Sequence, residues 1–272
     1  MKFSVLMSVY AKENPEFLDR AFQSIWDEQS VKPSQIVLVK DGLLTDGLNI
    51  QVGIWQEKLG DVLTVVELEK NIGLGLALNI GLSYCTNELV ARMDTDDISM
   101  PDRFRLQLDF FESHNGVSVV GGAISEFDGD EKNIYAYRKL PVGNADIRRF
   151  GRKRNPMNHV SVMFKKNDVL GAGGYMSFLG FEDYYLWARM LTAGFEFANI
   201  AQTLVNVRAG MAMSGRRGGM EYAMIEYRLQ KEFLSLGFIG YLDFIFNVAT
   251  RFIARAVPNR LRIMLYQKFL RT

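Results

Sequence analysis

The stretch ELVARMDTDDISMPDR, Glu88 to Arg103, places three carboxylates, Asp94, Asp96 and Asp97, directly after an apolar segment. Acids crowded in this way repel one another unless solvent, nearby bases or a bound cation offsets the repulsion. Asp-x-Asp at a strand end puts two carboxylates within reach of one hard divalent cation, whose remaining positions water and diphosphate oxygens can fill. With oxygen ligands dominant and no Cys or His pair at hand, Mg²⁺ or Mn²⁺ fits. The alternative is an ordinary acidic turn in which Asp97 or Ser99 caps a helix beginning at Pro101.

A second pair of acids, Glu182-Asp183 in GFEDYYLW, precedes a helical spacing of Leu186, Trp187, Met190 and Leu191 that ends near Gly194. A helix N-terminus favours negative charge, so the residues alone leave simple capping open. His159 in NPMNHVSVMF is one of two histidines. Neutral imidazole could ligate the cation or bond a phosphate, yet a lone His is more often a structural hydrogen-bonder. His114 in ESHNG follows an amphipathic helix and reads as a surface cap. Bases cluster at Arg148–Arg154 and at Arg216 and Arg217, either as solvated loops or as contacts for a diphosphate or anionic headgroups.

The elements that must position these residues are legible in the first hundred positions. FSVLMSVY precedes an apolar face of Phe17, Leu18, Ala21, Phe22, Ile25 and Trp26; SQIVLVKDG precedes a helical candidate near Ile50–Leu59; VLTVVELE leads into GLGLALNIGLSYC; ELVARMD closes the series. Strands alternating with helices predict a parallel, doubly wound α/β sheet. Ligands bind past the carboxyl ends of such strands. Ser8-Val9-Tyr10, Asp41-Gly42, Asn71 and Asp94-Thr95-Asp96 are therefore expected side by side. The second half is less regular: VSVVGGAISEFD reads as a strand with a close approach at Gly121-Gly122, and HVSVMFKK as another strand.

Composition narrows the function. A chain of 272 residues, 48% hydrophobic and 23% charged, suits one large domain with an appendage. A formal net charge of +1 gives no support to a nucleic-acid partner. The single cysteine, Cys85, excludes an intrachain disulfide and reads as buried, in keeping with a reducing cytoplasm. MKFSVLMSVYAKENP reads as a first strand rather than a signal peptide. Gly73-Leu-Gly75 lacks the third small residue of a dinucleotide fingerprint, since position 78 is Leu78, and no Gly-x-x-x-x-Gly-Lys-Ser/Thr loop is present.

SVLMSVY with LVKDG, NIGLGLALNIG, ARMDTDD and GFEDYYLWARM, in that order and spacing, resembles the family 2 glycosyltransferases of the GT-A fold, and among them the bacterial O-antigen, capsule and exopolysaccharide enzymes. The resemblance spans roughly residues 3–210. It implies that Ser8, Val9 and Tyr10 line a nucleotide site and that Asp41 contacts the base or ribose. Asp46 matches the extended Asp-Gly motif, although DGLLTDG departs from it. The resemblance also implies that Asn71, Gly73 and Asn79 close over the nucleotide, that Asp94 and Thr95 meet ribose and metal, and that Asp96 is the main ligand of Mn²⁺ or Mg²⁺, with His159 as a further ligand. Inverting transfer needs a base for the acceptor hydroxyl; the Glu-Asp motif assigns this to Asp183, with Glu182 binding acceptor or positioning the loop. Arg216 and Arg217 would meet an acceptor diphosphate. A Gln-x-x-Arg-Trp signature of processive members is missing, which argues for adding one sugar.

From Phe244 to Thr272 the chain carries Arg251, Arg255, Arg260, Arg262, Lys268 and Arg271, no acid, and interleaved Phe246, Phe252, Ile253, Ile263, Leu265 and Phe269. Such a pattern describes an interfacial helix on an anionic membrane; packing on the catalytic part or in a homodimer is the alternative. The expectation is a GT-A catalytic domain over 1–218, with a nucleotide half to about 105 and an acceptor half from 106, then a membrane-associating helical region over 219–272. Its expected reaction moves one hexose, glucose or galactose, from a UDP-sugar to a polyprenyl-diphosphate-linked saccharide, on the cytoplasmic face of the inner membrane. A non-catalytic sugar-nucleotide- or lipid-binding subunit is the other reading.

Overall fold

The computed structural model describes residues 1–209 and 220–256. The four apolar N-terminal segments form β1 (Phe3–Val9), β2 (Gln35–Lys40), β3 (Leu63–Glu67) and β4 (Leu89–Arg92). They pair in parallel in the order β3-β2-β1-β4, with Val5 opposite both Ile36 and Ala91. Helices α1 (Pro15–Ile25), α2 (Asp46–Leu59) and α3 (Leu74–Tyr84) supply the crossovers. Asn14 caps α1 by accepting from Glu16 N at 2.8 Å, with Pro15 opening the first turn. Leu18, Phe22 and Ile25 then pack with Met7, Val9 and Trp55 on one sheet face, and Leu78 and Leu82 of α3 pack with Leu6, Val37 and Val39 on the other. Strands covered on both faces have to be nearly continuous apolar runs, as these are.

Beyond Arg92 the sheet becomes mixed, because the strand–helix alternation that forces parallel pairing is gone. β4 is followed across the sheet by β8 (Met163–Lys165), β6 (Val117–Phe127), β9 (Glu196–Arg208) and the short β5 (Ile98–Ser99), with β7 (Ile134–Arg138) also on β6. β8 runs antiparallel to both β4 and β6, whereas β6 and β9 are parallel. The close approach at the glycine pair is present: a Cβ on Gly121 would stand 2.5 Å from Asn199 Oδ1, and one on Gly122 would stand 2.4 Å from Leu204.

Two expectations need correction. HVSVMFKK is a strand only at Met163–Lys165, since His159–Ser161 form a 3₁₀ turn and Lys166 opens α6 (Lys166–Gly171). Side chains displace the ladder there: Ser161 Oγ accepts from Gly122 N at 3.0 Å, and Asn158 Nδ2 donates to Gly122 O at 2.9 Å. Neither Asp97 nor Ser99 caps the next helix, because α4 (Arg103–Ser113) begins two residues past Pro101 and Ser99 lies in β5.

Helix α7 (Glu182–Thr192) precedes β9; of two further helices, α8 (Met220–Ser235) packs against α7 and α9 (Tyr241–Ala256) against α8. Phe233 of α8 meets the Tyr184 ring at 4.7 Å, and Asn247 Nδ2 of α9 donates to Gln230 Oε1 at 2.9 Å. The expected boundary at Gly218-Gly219 falls outside the described residues. Among the described residues no helix is long and apolar enough to cross a membrane. Cys85 is buried, and burial pushes its thiol up to about 12, as suits a packing residue.

Candidate active site

Adjacent parallel strands bring the ends of β1 and β2 together: Asp41 N donates to Val9 O at 2.8 Å. Asp41 is buried, and its carboxylate clamps the segment leading into α3. Oδ1 accepts from Ile72 N at 2.7 Å, while Oδ2 accepts from Gly73 N at 3.1 Å and Asn71 Nδ2 at 3.0 Å. Gly42 makes this clamp sterically feasible, with φ +88° and a would-be Cβ only 2.6 Å from Asn71 N. Thr95 Oγ1 stands 3.5 Å from Ser8 O, which joins the acidic loop to the end of β1. Ser8, Val9, Asp41, Asn71, Gly73 and Thr95 therefore do share one crevice mouth. Asn79 has a different task, accepting from Tyr175 N at 3.1 Å and so tying α3 to the loop ahead of α7. Asp46 is exposed in the first turn of α2.

Asp94, Asp96 and Asp97 present ligand atoms that all lie within 4.8 Å of one another. Burial, followed by repulsion from Asp94, raises Asp96 from an ordinary 3.8 to about 6; burial with both neighbouring acids holds Asp97 well above 3.8. Three converging carboxylate oxygen donors fit a hard divalent cation, which would relieve their repulsion.

Arginines complete the electrostatics. Arg92, at the end of β4, is fully buried and pairs through Nη2 with Asp94, while its Nε and Nη1 make no hydrogen bond to protein. Arg103 donates through Nη2 to Arg92 O at 2.6 Å; burial and the neighbouring Arg92 push it down to about 9. Arg208, closing β9, latches the loop: its N donates to Asp97 Oδ1 at 2.8 Å and its Nε to Asp96 O at 3.2 Å. Its guanidinium lies 3.8 Å from the Phe17 ring centroid.

The second acid pair opens α7, whose N-cap Phe181 makes no side-chain cap bond, and the Glu182 carboxylate is hydrogen-bonded by backbone at the helix start, that of Gly180 and Phe181 included. Asn155 Nδ2 donates to Asp183 Oδ2 at 2.6 Å. Glu182 is raised above its ordinary value by burial, and its Cγ stands 2.6 Å from where a Cβ on Gly75 would be. Between the acid sites lies buried Tyr175, hydrogen-bonded to His159 Nε2 at 2.9 Å. Burial raises the Tyr175 phenol; Arg92 opposes this, and Asp183 and Asp94 both add to it, so one ring senses both acid sites.

His159 is held well below its ordinary value by burial and Arg92, keeping it neutral. It is not a member of the acid group, and its Nε2 is engaged by Tyr175, a pairing that its surroundings in sequence do not reveal. Arg216 and Arg217 lie outside the described residues. Sequence reasoning missed Arg92, Asn155, Tyr175 and Arg208. The available signals were a charge inside an apolar strand for Arg92 and a lone base ending a strand for Arg208.

A family model described as glycosyl transferase family 2 matches residues 4–171. The chain is 41% identical over 266 residues to the amylovoran biosynthesis glycosyltransferase AmsE of Erwinia amylovora, with 98% of both chains covered. It is 38% identical over 270 residues to the UDP-Gal:alpha-D-GlcNAc-diphosphoundecaprenol beta-1,3-galactosyltransferase of Escherichia coli, covering 99% of this chain and 97% of that one. Among solved structures, the mannosyltransferase PcManGT from Pyrobaculum calidifontis, in complex with GDP-Man and Mn²⁺, aligns with a TM-score of 0.65 at 19% identity, covering 96% of this chain and 72% of that one. That likeness establishes a common fold.

Proposed function

The chain belongs to glycosyl transferase family 2 and has the GT-A fold, and on that premise we propose that it moves one hexose, galactose or glucose, from a UDP-sugar to a lipid-diphosphate-linked saccharide with inversion. The Escherichia coli relative's galactosyl transfer to a GlcNAc-diphosphoundecaprenol supports the donor and acceptor classes. The reaction then serves assembly of an O-antigen, capsule or exopolysaccharide, at the cytoplasmic face of the inner membrane, where the chain binds peripherally.

The observation that carries the reading is the packing of the second acid pair on the crevice: Glu182 Cγ stands 2.6 Å from where a Cβ on Gly75 would be, two residues past Gly73, which the Asp41 carboxylate holds. Asp94 and Asp96 are the residues that would hold a divalent cation, and Asp97, fixed by Arg208, supports the turn. Such a cation, when bound, neutralises charge that grows on the departing diphosphate. Ser8, Val9, Tyr10, Asn71, Gly73 and Thr95 line the nucleotide, with Asp41 clamping the loop over it.

Asp183 takes the proton from the acceptor hydroxyl as its oxygen attacks the anomeric carbon opposite the diphosphate. The new C–O bond forms as the bond to phosphate breaks, so an α-linked donor yields a β linkage. Asn155 orients the base, Glu182 orders the acceptor loop, and His159 supports Tyr175. Arg216 and Arg217, outside the described residues, are assigned to the acceptor diphosphate on their sequence alone.

UDP release is measured with a panel of UDP-sugars and a synthetic lipid-diphosphate-GlcNAc acceptor, with Mn²⁺ and with chelator. Acceptor-dependent, chelator-sensitive release with one donor is the expected result. Tight UDP binding with no release, on synthetic and native lipid acceptors alike, would sink the transferase reading and leave a binding subunit.

A further inference from the structure

The basic run and the C-terminal helices, distant in sequence, meet on one face. Arg148 is spent internally, donating to Leu191 O at 2.5 Å and Phe195 O at 3.2 Å, and Arg149 pairs with Asp146. Arg152, Lys153 and Arg154 are instead exposed in the turn that follows. α9 grips that turn: Asn247 Nδ2 donates to Arg152 O at 2.8 Å, and Arg251 Nη2 donates to Lys153 O at 2.8 Å. Lys153 Nζ lies 5.6 Å from the Phe246 ring centroid.

The outward side of α9 is apolar at helical spacing, with Leu242 82%, Ile245 49% and Phe246 57% exposed. An open groove of about 470 Å³, lined by Met224, Tyr227, Val248 and Phe252, continues the apolar surface onto α8. Two of the nearby acids are opposed by a base: Asp243 faces Arg152 at 4.0 Å, and Glu226 faces Arg251 at 3.6 Å. The sequence after α9, residues 257–272, adds four bases and no acid.

We infer that the exposed stripe of α9 and the Arg152–Arg154 turn form one docking face for an anionic lipid bilayer, with the apolar side chains in the headgroup boundary and the bases on the phosphates. Charge selects this occupant: an apolar wedge fringed by bases matches a negatively charged interface. The inference rests on the reading of a membrane-held acceptor and adds to it a geometry. Asn155, which follows Arg154, holds Asp183, so docking the turn on headgroups brings the base close to the surface where the acceptor's diphosphate emerges.

The test is co-sedimentation of the full chain with acceptor-free vesicles, either phosphatidylcholine mixed with phosphatidylglycerol or phosphatidylcholine alone. Binding is expected to the anionic vesicles and to weaken with salt. The L242S/I245S/F246S variant is expected to lose about tenfold or more of its partitioning, and R152S/K153S roughly fivefold per base removed. Both variants should keep UDP affinity and turnover on a water-soluble acceptor. Equal binding to both vesicle types, unchanged binding by the variants, binding only once the lipid-diphosphate acceptor is included, or a self-association that L242S/I245S/F246S abolishes would each overturn the inference. Soluble-acceptor turnover without vesicle binding would defeat the docking face alone; vesicle binding without turnover on any acceptor would defeat the transferase reading alone.

Discussion

Replacing Asp41 by Ala tests whether the nucleotide crevice is built by a buried carboxylate rather than by the glycines around it. The side chain accepts three hydrogen bonds, from Ile72 N, Gly73 N and Asn71 Nδ2. Bonds to an ionised acceptor contribute about 1.5–3 kcal/mol each. Asn71 is exposed and re-solvates on truncation, and the three donors share one segment, so the sum shrinks to about 3 kcal/mol in total. For a chain of this size that corresponds to a fall of roughly 5 °C in melting temperature. Thermal melts and amide exchange at Ile72 and Gly73 read the effect directly, and UDP affinity should fall about tenfold or more as the segment loosens. Asp41→Asn separates charge from shape: the amide keeps one acceptor but turns an NH₂ toward a donor, so it should recover less than half of the loss. An Asp41→Ala protein that melts within a couple of degrees of the parent, with Ile72 and Gly73 equally protected, would refute the clamp.

The acid cluster predicts an inverted pH response. Asp96 is raised in the folded state from 3.8 to about 6, so its contribution to stability is full below pH ~4 and is lost as pH rises through about 6. In chelator at pH 7, Asp96→Asn should therefore be more stable than the parent by at most ~3 kcal/mol, the gap closing near pH 4. Mn²⁺ should raise the melting temperature of the parent but not of the variant. Asp183→Asn should lower turnover by roughly 10²-fold or more while leaving UDP affinity, measured by calorimetry, within about twofold. Gly75→Ala places a methyl 2.6 Å from Glu182 Cγ and should destabilise by about 1–3 kcal/mol; pairing it with Glu182→Ala should restore much of that in denaturant melts.

The parallel half could be read from sequence because its strands are nearly continuous apolar runs, and α1 and α2 follow the cap residues Asn14 and Thr45. Residues at strand ends, Ser8, Asp41 and Asp94 among them, inherit their positions from that topology. The 3₁₀ turn at His159–Ser161 was not legible, since Ser161 and Asn158 reach a glycine in another strand and local pattern carries no trace of a partner 36 or 39 residues away. Arg92 drew no notice in the sequence, yet it is fully buried and neutralises part of the acid cluster. Tyr175 sits in a loop without periodicity, so its place between Asp94 and Asp183 emerged only from the fold.

The latch between Arg208 and Asp97 bridges 111 positions, and it orders events during synthesis. Everything that forms the parallel half is present once Arg92 has left the ribosome, and its contacts are between neighbouring βα units that can close as they emerge. The acidic loop, by contrast, waits for β9, because among the described residues β5 pairs with β9 alone and Asp97 takes its backbone donor from Arg208. A nascent or truncated chain that stops short of residue 208 thus carries a formed crevice beside an unfastened acid cluster. The last long strand to be made is thus the one that fastens the acids.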